Sequence, residues 1–406
     1  MKRIAAAAVI CLAMVMPVCP AYADDNTADG NNTVSISTDI TPSISVTGSS
    51  GTDSQNNTTP NNTNVTMSDS ADAVNNGPFE TLTVDQATMQ AINASSSLKN
   101  YSDSVTSTNE SLDTLKDEFN TATDYGTVLN LAVQIMQAQV SNIQTNNNAN
   151  LARDTLRISV MNLFASIISA QNGLRLTDQS LAIQQRQLTI TKVKYNLGYT
   201  SKLDMDTQTN DYNQKTASRK TQQIAVDNAF ISLNKLMGTT LNKQYNLVLD
   251  VGDYQPLGNV NLQGAVDTAL RTDPGIINQQ GNVDVAQYKI KMYDPDTSSS
   301  SLDDLNRGLD SAQRTLSDTQ GNVGQKVVNA YNNIMNEEVQ YNNAVMALEA
   351  LNIQMPVTQK QLDLGQITQL DLDQLLYQIA QQQETIRSLA VSHAINVIQF
   401  NEPATL

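Results

Sequence analysis

Leu197-Gly198-Tyr199-Thr200-Ser201-Lys202-Leu203-Asp204-Met205-Asp206 returns 167 residues later as Leu364-Gly365-Gln366-Ile367-Thr368-Gln369-Leu370-Asp371-Leu372-Asp373. Each copy follows a run of helix-forming residues. Gly198 and Gly365 sit where a helix stops, because the residue past a helix end often takes a left-handed conformation that only glycine adopts cheaply. Ser201 and Thr368 then supply a hydroxyl cap, with Asp204 and Asp371 three residues on, a capping-box spacing close to the usual Glu/Gln form. Both copies therefore read as tight turns between antiparallel helices, each cap contributing about 1 kcal/mol. One copy alone is only a good turn. Two copies in equivalent positions point to one shared job.

The flanking sequence fixes what the turns connect. Leu156, Val160, Leu163, Ile167 and Leu174, continued by Leu181, Leu188 and Val193, recur at helical spacing. They predict a helix over about 151–196, on the order of 70 Å long. A second long element runs from Leu302 through Val327, Ile334, Val345, Leu348 and Leu351, with a kink expected at Pro356. Between them, Gly238 to Gly264 reads as a compact connector, with a strand expected at Tyr245–Leu249. The starts of the halves also correspond: Leu82, Ala87, Ala91, Ile92 and Leu98 align with Val260, Ala265, Ala269, Leu270 and Ile276 at an offset of 178. The fold expected is mainly α, with long antiparallel coiled-coil helices in two tandem repeats.

The amino-terminal region is of another kind. Lys2 and Arg3 precede an apolar run from Ile4 to Val18, and Ala21-Tyr22-Ala23 closes it like a signal-peptidase site, so export is expected. Cys11 and Cys19, the two cysteines of the chain, fall inside this segment, and Ile10 and Val18 occupy the places where a lipid anchor needs a small residue. Residues 24–76 are rich in Asn, Thr, Ser and Asp, without Lys, Arg or aromatics, and read as a disordered linker. Val34, Ile36, Ile40, Ile44 and Val46 share one parity and leave a short edge strand open as the alternative. The expected division is 1–23 signal peptide, 24–76 linker, 77–238 first helical repeat, 239–260 connector, 261–400 second helical repeat and 401–406 tail.

Composition narrows the function. The 406 residues carry a net charge of -16, 4% aromatics, no Trp and one His. A phosphate-tracking surface concentrates Lys and Arg, so nucleic acid is excluded as a partner. With one His and no cysteine beyond the signal segment, neither a zinc site nor a nucleophile–base pair is available, and the chain is not expected to be an enzyme or to need a cofactor. Asp294, Asp296 and Ser298 resemble a calcium loop only in part, since Ser299 and Leu305 stand where Gly and Glu belong. His393 lies near the stripe of Leu389, Ile395 and Ile398 and reads as structural. Asp204 with Asp206, and Asp371 with Asp373, are either solvated first-turn acids or an acidic ring in an oligomer.

The tandem halves, the start Leu82-Thr83-Val84-Asp85-Gln86-Ala87, the turn from Tyr195 to Asp204 and the Ala265–Ile276 segment with Asp273-Pro274 together resemble the TolC family of outer-membrane efflux proteins, over roughly residues 79–400. The resemblance implies an α-helical barrel protomer. It further implies a homotrimer whose paired turns form the inner tip of a tunnel, dock on a periplasmic adaptor and work with an inner-membrane transporter, at the outer membrane or associated with the periplasm. Carried over by motif, the tip comprises Leu197, Gly198, Ser201, Leu203 and Asp204 with Leu364, Gly365, Thr368, Leu370 and Asp371. The family inserts two membrane strands into each half. Here the available breaks, about 120–127 and 294–301, hold no such hairpin. The expectation is thus the family's helical part without its membrane barrel. An exported, non-transporting coiled-coil spacer or surface protein is the alternative; a flagellin-like filament subunit shares the composition, but the cleavable signal argues against it.

Overall fold

The computed structural model describes residues 79–406. The expected signal peptide, the 24–76 linker with its possible strand, and both cysteines lie outside the described residues. In chain order the elements are β1 (Thr81–Thr83), α1 (Val84–Ala94), α2 (Ser96–Thr121), α3 (Tyr125–Asn196), α4 (Lys202–Met237), β2 (Asn246–Val248), α5 (Leu262–Thr272), α6 (Pro274–Lys291), α7 (Leu302–Asp363) and α8 (Gln369–Asn401), with a short 3-10 turn at Pro403–Thr405.

Two helices run the length of the molecule. α3 has 72 residues and α7 has 62, which at 1.5 Å per residue is about 110 Å and about 90 Å. α3 starts at Tyr125 rather than near Leu151, because Asp124 caps it, accepting from the Thr127 N–H at 2.8 Å. The stripe of this added section is carried by Leu131, Ala132, Val140 and Ala149 among Asn and Gln residues, too thin to register as a helix in the sequence. α7 remains helical through Pro356, where proline withholds one intrahelical hydrogen bond.

The helices form a layer whose membership changes half-way. On the side of the repeated turns the order is α4, α3, α8, α7; on the other side it is α2, α3, α6, α7. The tandem repeat is visible in the caps. Thr83 and Ser95 cap α1 and α2, and Asn261 and Asp273 cap α5 and α6, each pair separated by the offset of 178. Ser201 and Thr368 precede α4 and α8 at the offset of 167.

Where the halves meet, β1 pairs in parallel with β2 (Thr81↔Asn246, Leu82↔Leu247, Thr83↔Val248). The strand expected in the connector is there, shortened to three residues; its partner β1 was not readable from the sequence. The main core surrounds this pair. Phe164, Val160 and Ile167 of α3 pack with Phe230 and Leu233 of α4, Ala87 and Ala91 of α1, and Leu82 and Leu247 of the strands. Asn234, fully buried, donates from Nδ2 to the Leu241 and Lys243 carbonyls at 2.9 and 2.7 Å and thereby fixes the chain leaving α4. A second core joins α5, α6 and α7 through Ala269, Ile276, Val323, Val327 and Ile334.

The connector is strapped to the second half. Tyr254 stacks on Tyr341 at 3.7 Å between ring centres, and the Leu257 N–H donates to Glu338 Oε1 at 2.6 Å. His393 is 2% exposed, with Nε2 3.3 Å from the same Glu338 oxygen and its ring tilted against Tyr254. It holds the strap in place, the structural role expected of it.

Candidate functional site

The repeated turns occupy one end of the layer. In the first, Leu197 closes α3, the Gly198 N–H donates to the Tyr195 carbonyl at 2.9 Å and the Tyr199 N–H to the Lys194 carbonyl at 2.8 Å. In the second, the Gly365 N–H donates to Leu362 at 2.8 Å and the Gln366 N–H to Gln361 at 2.9 Å. This paired pattern satisfies the last carbonyls of a helix and needs a left-handed residue at its centre. Gly198 and Gly365 have φ of 76° and 68°.

The caps follow. One oxygen of Asp204 accepts from Thr200 Oγ1 (2.8 Å), Ser201 Oγ (2.7 Å) and the Ser201 N–H (3.1 Å), while the Asp204 N–H donates back to Ser201 Oγ. Asp371 accepts from the Thr368 N–H (2.8 Å) and Oγ1 (2.7 Å). Hydrogen bonds from Ser201 and Thr200 hold the Asp204 carboxyl below its ordinary value, and those from Thr368 do the same for Asp371. Depressed carboxyl values in the folded state mean that the cap stability is present above the ordinary carboxylate range and is lost as pH falls through the lowered value. The Ser201 and Thr368 amides are therefore expected to lose exchange protection, after correction for intrinsic rates, only below about pH 4. In Asp204→Asn and Asp371→Asn that acid step disappears; an unchanged step in the variants would show that other groups govern the turns.

The turns also expose apolar side chains. Leu197, Leu203 and Leu364 are 63%, 75% and 62% exposed and Tyr199 is 80% exposed. Among the described residues nothing covers this apolar group at the end of the layer. Leu370 is half-buried, whereas Ser201, Asp204, Thr368 and Asp371 are exposed. Tyr199 was absent from the residues expected at the tip, because in the sequence it reads as a turn filler.

The sequence-expected residues thus gather into two separate turns, and among the described residues no hydrogen bond or ion pair joins the turns directly. They are held at the same end by α3 and α8. Arg186 of α3 pairs with Asp373 of α8, and Asn172 donates to Glu384 at 3.0 Å. Burial pushes the Glu384 carboxyl up, against the Asn172 hydrogen bond. Arg186 and Asp373 are 47% and 20% exposed, so this pair is solvent-screened and contributes on the order of 1 kcal/mol or less.

At the opposite end α2 passes to α3 through residues 122–124, and α6 to α7 through residues 292–301. Both breaks lie close to those expected. Asp294 accepts from the Asp296 N–H and Thr297 Oγ1 within its own turn. Among the described residues β1 and β2 form the one sheet, and no helix is long and apolar enough to cross a membrane.

No protein-family model matches the sequence, and no curated protein matches it. Solved structures do. A membrane protein from Pseudomonas aeruginosa superposes with a TM-score of 0.61 at 11% identity, over 79% of this chain and 90% of that one. CusC, whose structures follow its folding and transmembrane channel formation, gives 0.59 at 12% identity over 82% and 95%. The outer membrane protein VceC of Vibrio cholerae gives 0.59 at 8% identity over 79% and 96%. The fold is TolC-like. At these identities the likeness is one of architecture. Within the TolC-like layer, residues 122–124 and 292–301 stand where the resemblance implies inserted membrane hairpins, and each is a plain connector.

Proposed function

We propose that this chain is the protomer of a TolC-like conduit in an export or efflux assembly of the cell envelope, exported and associated with the outer membrane or the periplasm. Three copies close a helical tunnel, and the two turns at Leu197–Asp204 and Leu364–Asp371 form its tip and dock on a periplasmic adaptor that serves an inner-membrane transporter. No catalytic step is part of this function. The observation that carries the reading is the pairing of two equivalent turns, each with at least one exposed leucine, at one end of a TolC-like layer of helices about 100 Å long.

A photo-crosslinking residue in place of Tyr199 tests it in intact cells. The expected result is a covalent adduct with a periplasmic adaptor and loss of export of at least one substrate on deletion of the gene. No adduct together with unchanged export on deletion would abandon the conduit. A second reading, an envelope spacer that conducts nothing, is favoured by one observation: the end opposite the turns carries connectors rather than strands. Export that depends on intact turns would count against the spacer.

A further inference from the structure

In the half of the layer away from the turns, α3, α6 and α7 enclose a trough of about 460 Å³, within the size range of ligand clefts, about 300–1,000 Å³. Its floor is apolar: Val140 of α3 and Val285 of α6 are buried, and Ala286 and Leu305 beside them are half-buried. Its rim is polar. Gln137 and Ser141 line one side, and among the described residues neither side chain forms a hydrogen bond. Gln144 Nε2 donates to the Asn278 carbonyl and to Asn282 Oδ1, both at 2.9 Å, which leaves Gln144 Oε1 free to accept.

Lys289, near the end of α6, lines the same trough and stands apart from the other lysines. Every other described lysine is exposed, whereas Lys289 is half-buried. Among the described residues no oxygen pairs with its ammonium. The acid that shares the trough is committed elsewhere: Asp304 accepts from Ser301 Oγ at 2.6 Å and pairs with Arg307. A charge drawn partly out of water without a partner is costly. Lys289 therefore offers the trough an unmatched cation.

Gly308 of α7 completes the wall. Glycine is, after proline, the least favourable residue inside a helix. A Cβ built on Gly308 meets nothing within 4 Å, so no packing neighbour demands the small residue. What its size does here is keep the trough open.

We infer that this trough binds a carboxylated saccharide. Lys289 takes the carboxylate in a charge-assisted contact, and sugar hydroxyls, which both donate and accept, pair with Gln137, Ser141 and Gln144 Oε1. The apolar face of a sugar ring lies on Val140, Val285 and Leu305. A multiply charged phosphate group fits less well, because Lys289 is the only cation lining the trough and Asp304 lies beside it. The site gives the half of the molecule that carries plain connectors a hold on a polysaccharide. It goes beyond the conduit reading and does not depend on it.

Titration calorimetry on the exported full-length chain tests it. The acidic probe is the disaccharide N-acetylglucosaminyl-N-acetylmuramic acid, and N,N′-diacetylchitobiose supplies the same scaffold without the carboxylate. The acidic probe is expected to bind once per chain, about tenfold or more tighter than the neutral one. In Lys289→Gln that preference is expected to vanish. Gly308→Leu fills the trough and is expected to weaken the acidic probe about tenfold or more without lowering the melting temperature, since leucine favours the helix. Gly321→Leu, at another uncrowded glycine of α7 outside the trough, is expected to bind as the unaltered chain does. Absence of binding by the acidic probe, equal binding of both probes, or unchanged binding by Gly308→Leu would each overturn the inference. Should Gly308→Leu melt early, Lys289→Gln alone decides. Calorimetry reads the isolated chain and gene deletion reads export, so the saccharide site and the conduit can fail separately.

Discussion

Phe164→Ala is expected to lower the free energy of unfolding by about 3–5 kcal/mol, because a buried Phe leaves both lost transfer energy and a cavity. Phe164 is fully buried on α3 where α1, α4 and the strand pair converge. The site resists collapse: the surrounding groups belong to elements anchored by the β1–β2 ladder and by the Asn234 hydrogen bonds. Phe164→Leu keeps most of the volume and should cost less than about 1.5 kcal/mol. Urea denaturation followed by circular dichroism measures both. A Phe164→Ala loss under about 1 kcal/mol would mean that this core is not what joins the halves.

Gly198→Val with Gly365→Val is the second large effect, and it bears on function. Each valine is forced into the left-handed region at about 1–2 kcal/mol. The two turns share no direct bond, so their costs should add to roughly 2–4 kcal/mol. Steric crowding does not contribute, because a Cβ built on either glycine meets nothing within 4 Å. That emptiness supplies the control: Asn tolerates the left-handed region, so Gly198→Asn with Gly365→Asn should be near neutral. If the turns dock on an adaptor, the valine pair should abolish the Tyr199 adduct while the asparagine pair keeps it. An unchanged melting temperature in the valine pair would show that the glycines do not set the turn geometry.

What could be read from the sequence was what is encoded locally. The turn at Gly198, its hydroxyl cap and its acid lie within seven residues, and the second copy at Gly365 removed the ambiguity that one copy leaves. β1 was hidden for the opposite reason: three residues at Thr81 make a strand only through a partner at Asn246, far along the chain. The start of α3 at Tyr125 was missed because the Asn-rich run from Asn146 to Asn150 dilutes the apolar stripe. On α7, Val345 could not be told from Leu348 and Leu351 until the position of α8 showed which face is covered: Val345 is exposed, whereas Leu348 and Leu351 are half-buried. At the tip, the polar caps were found from the sequence and Tyr199 was not, since exposure is not a property of residue type.

The continuity of α3 through the mid-point of the molecule has a mechanical meaning. Phe164 sits at the joint and Asn196 at the end of the helix, 32 residues further on, so the arm that α3 forms with α4 and α8 is roughly 50 Å long. Pivoting such an arm by about 5° sweeps its end through roughly 4 Å, close to the diameter of a side chain. On the proposed conduit reading, a small rotation at Phe164 reaches Leu197 as a shift of several ångströms, so the width of the tip would be set far from the tip itself.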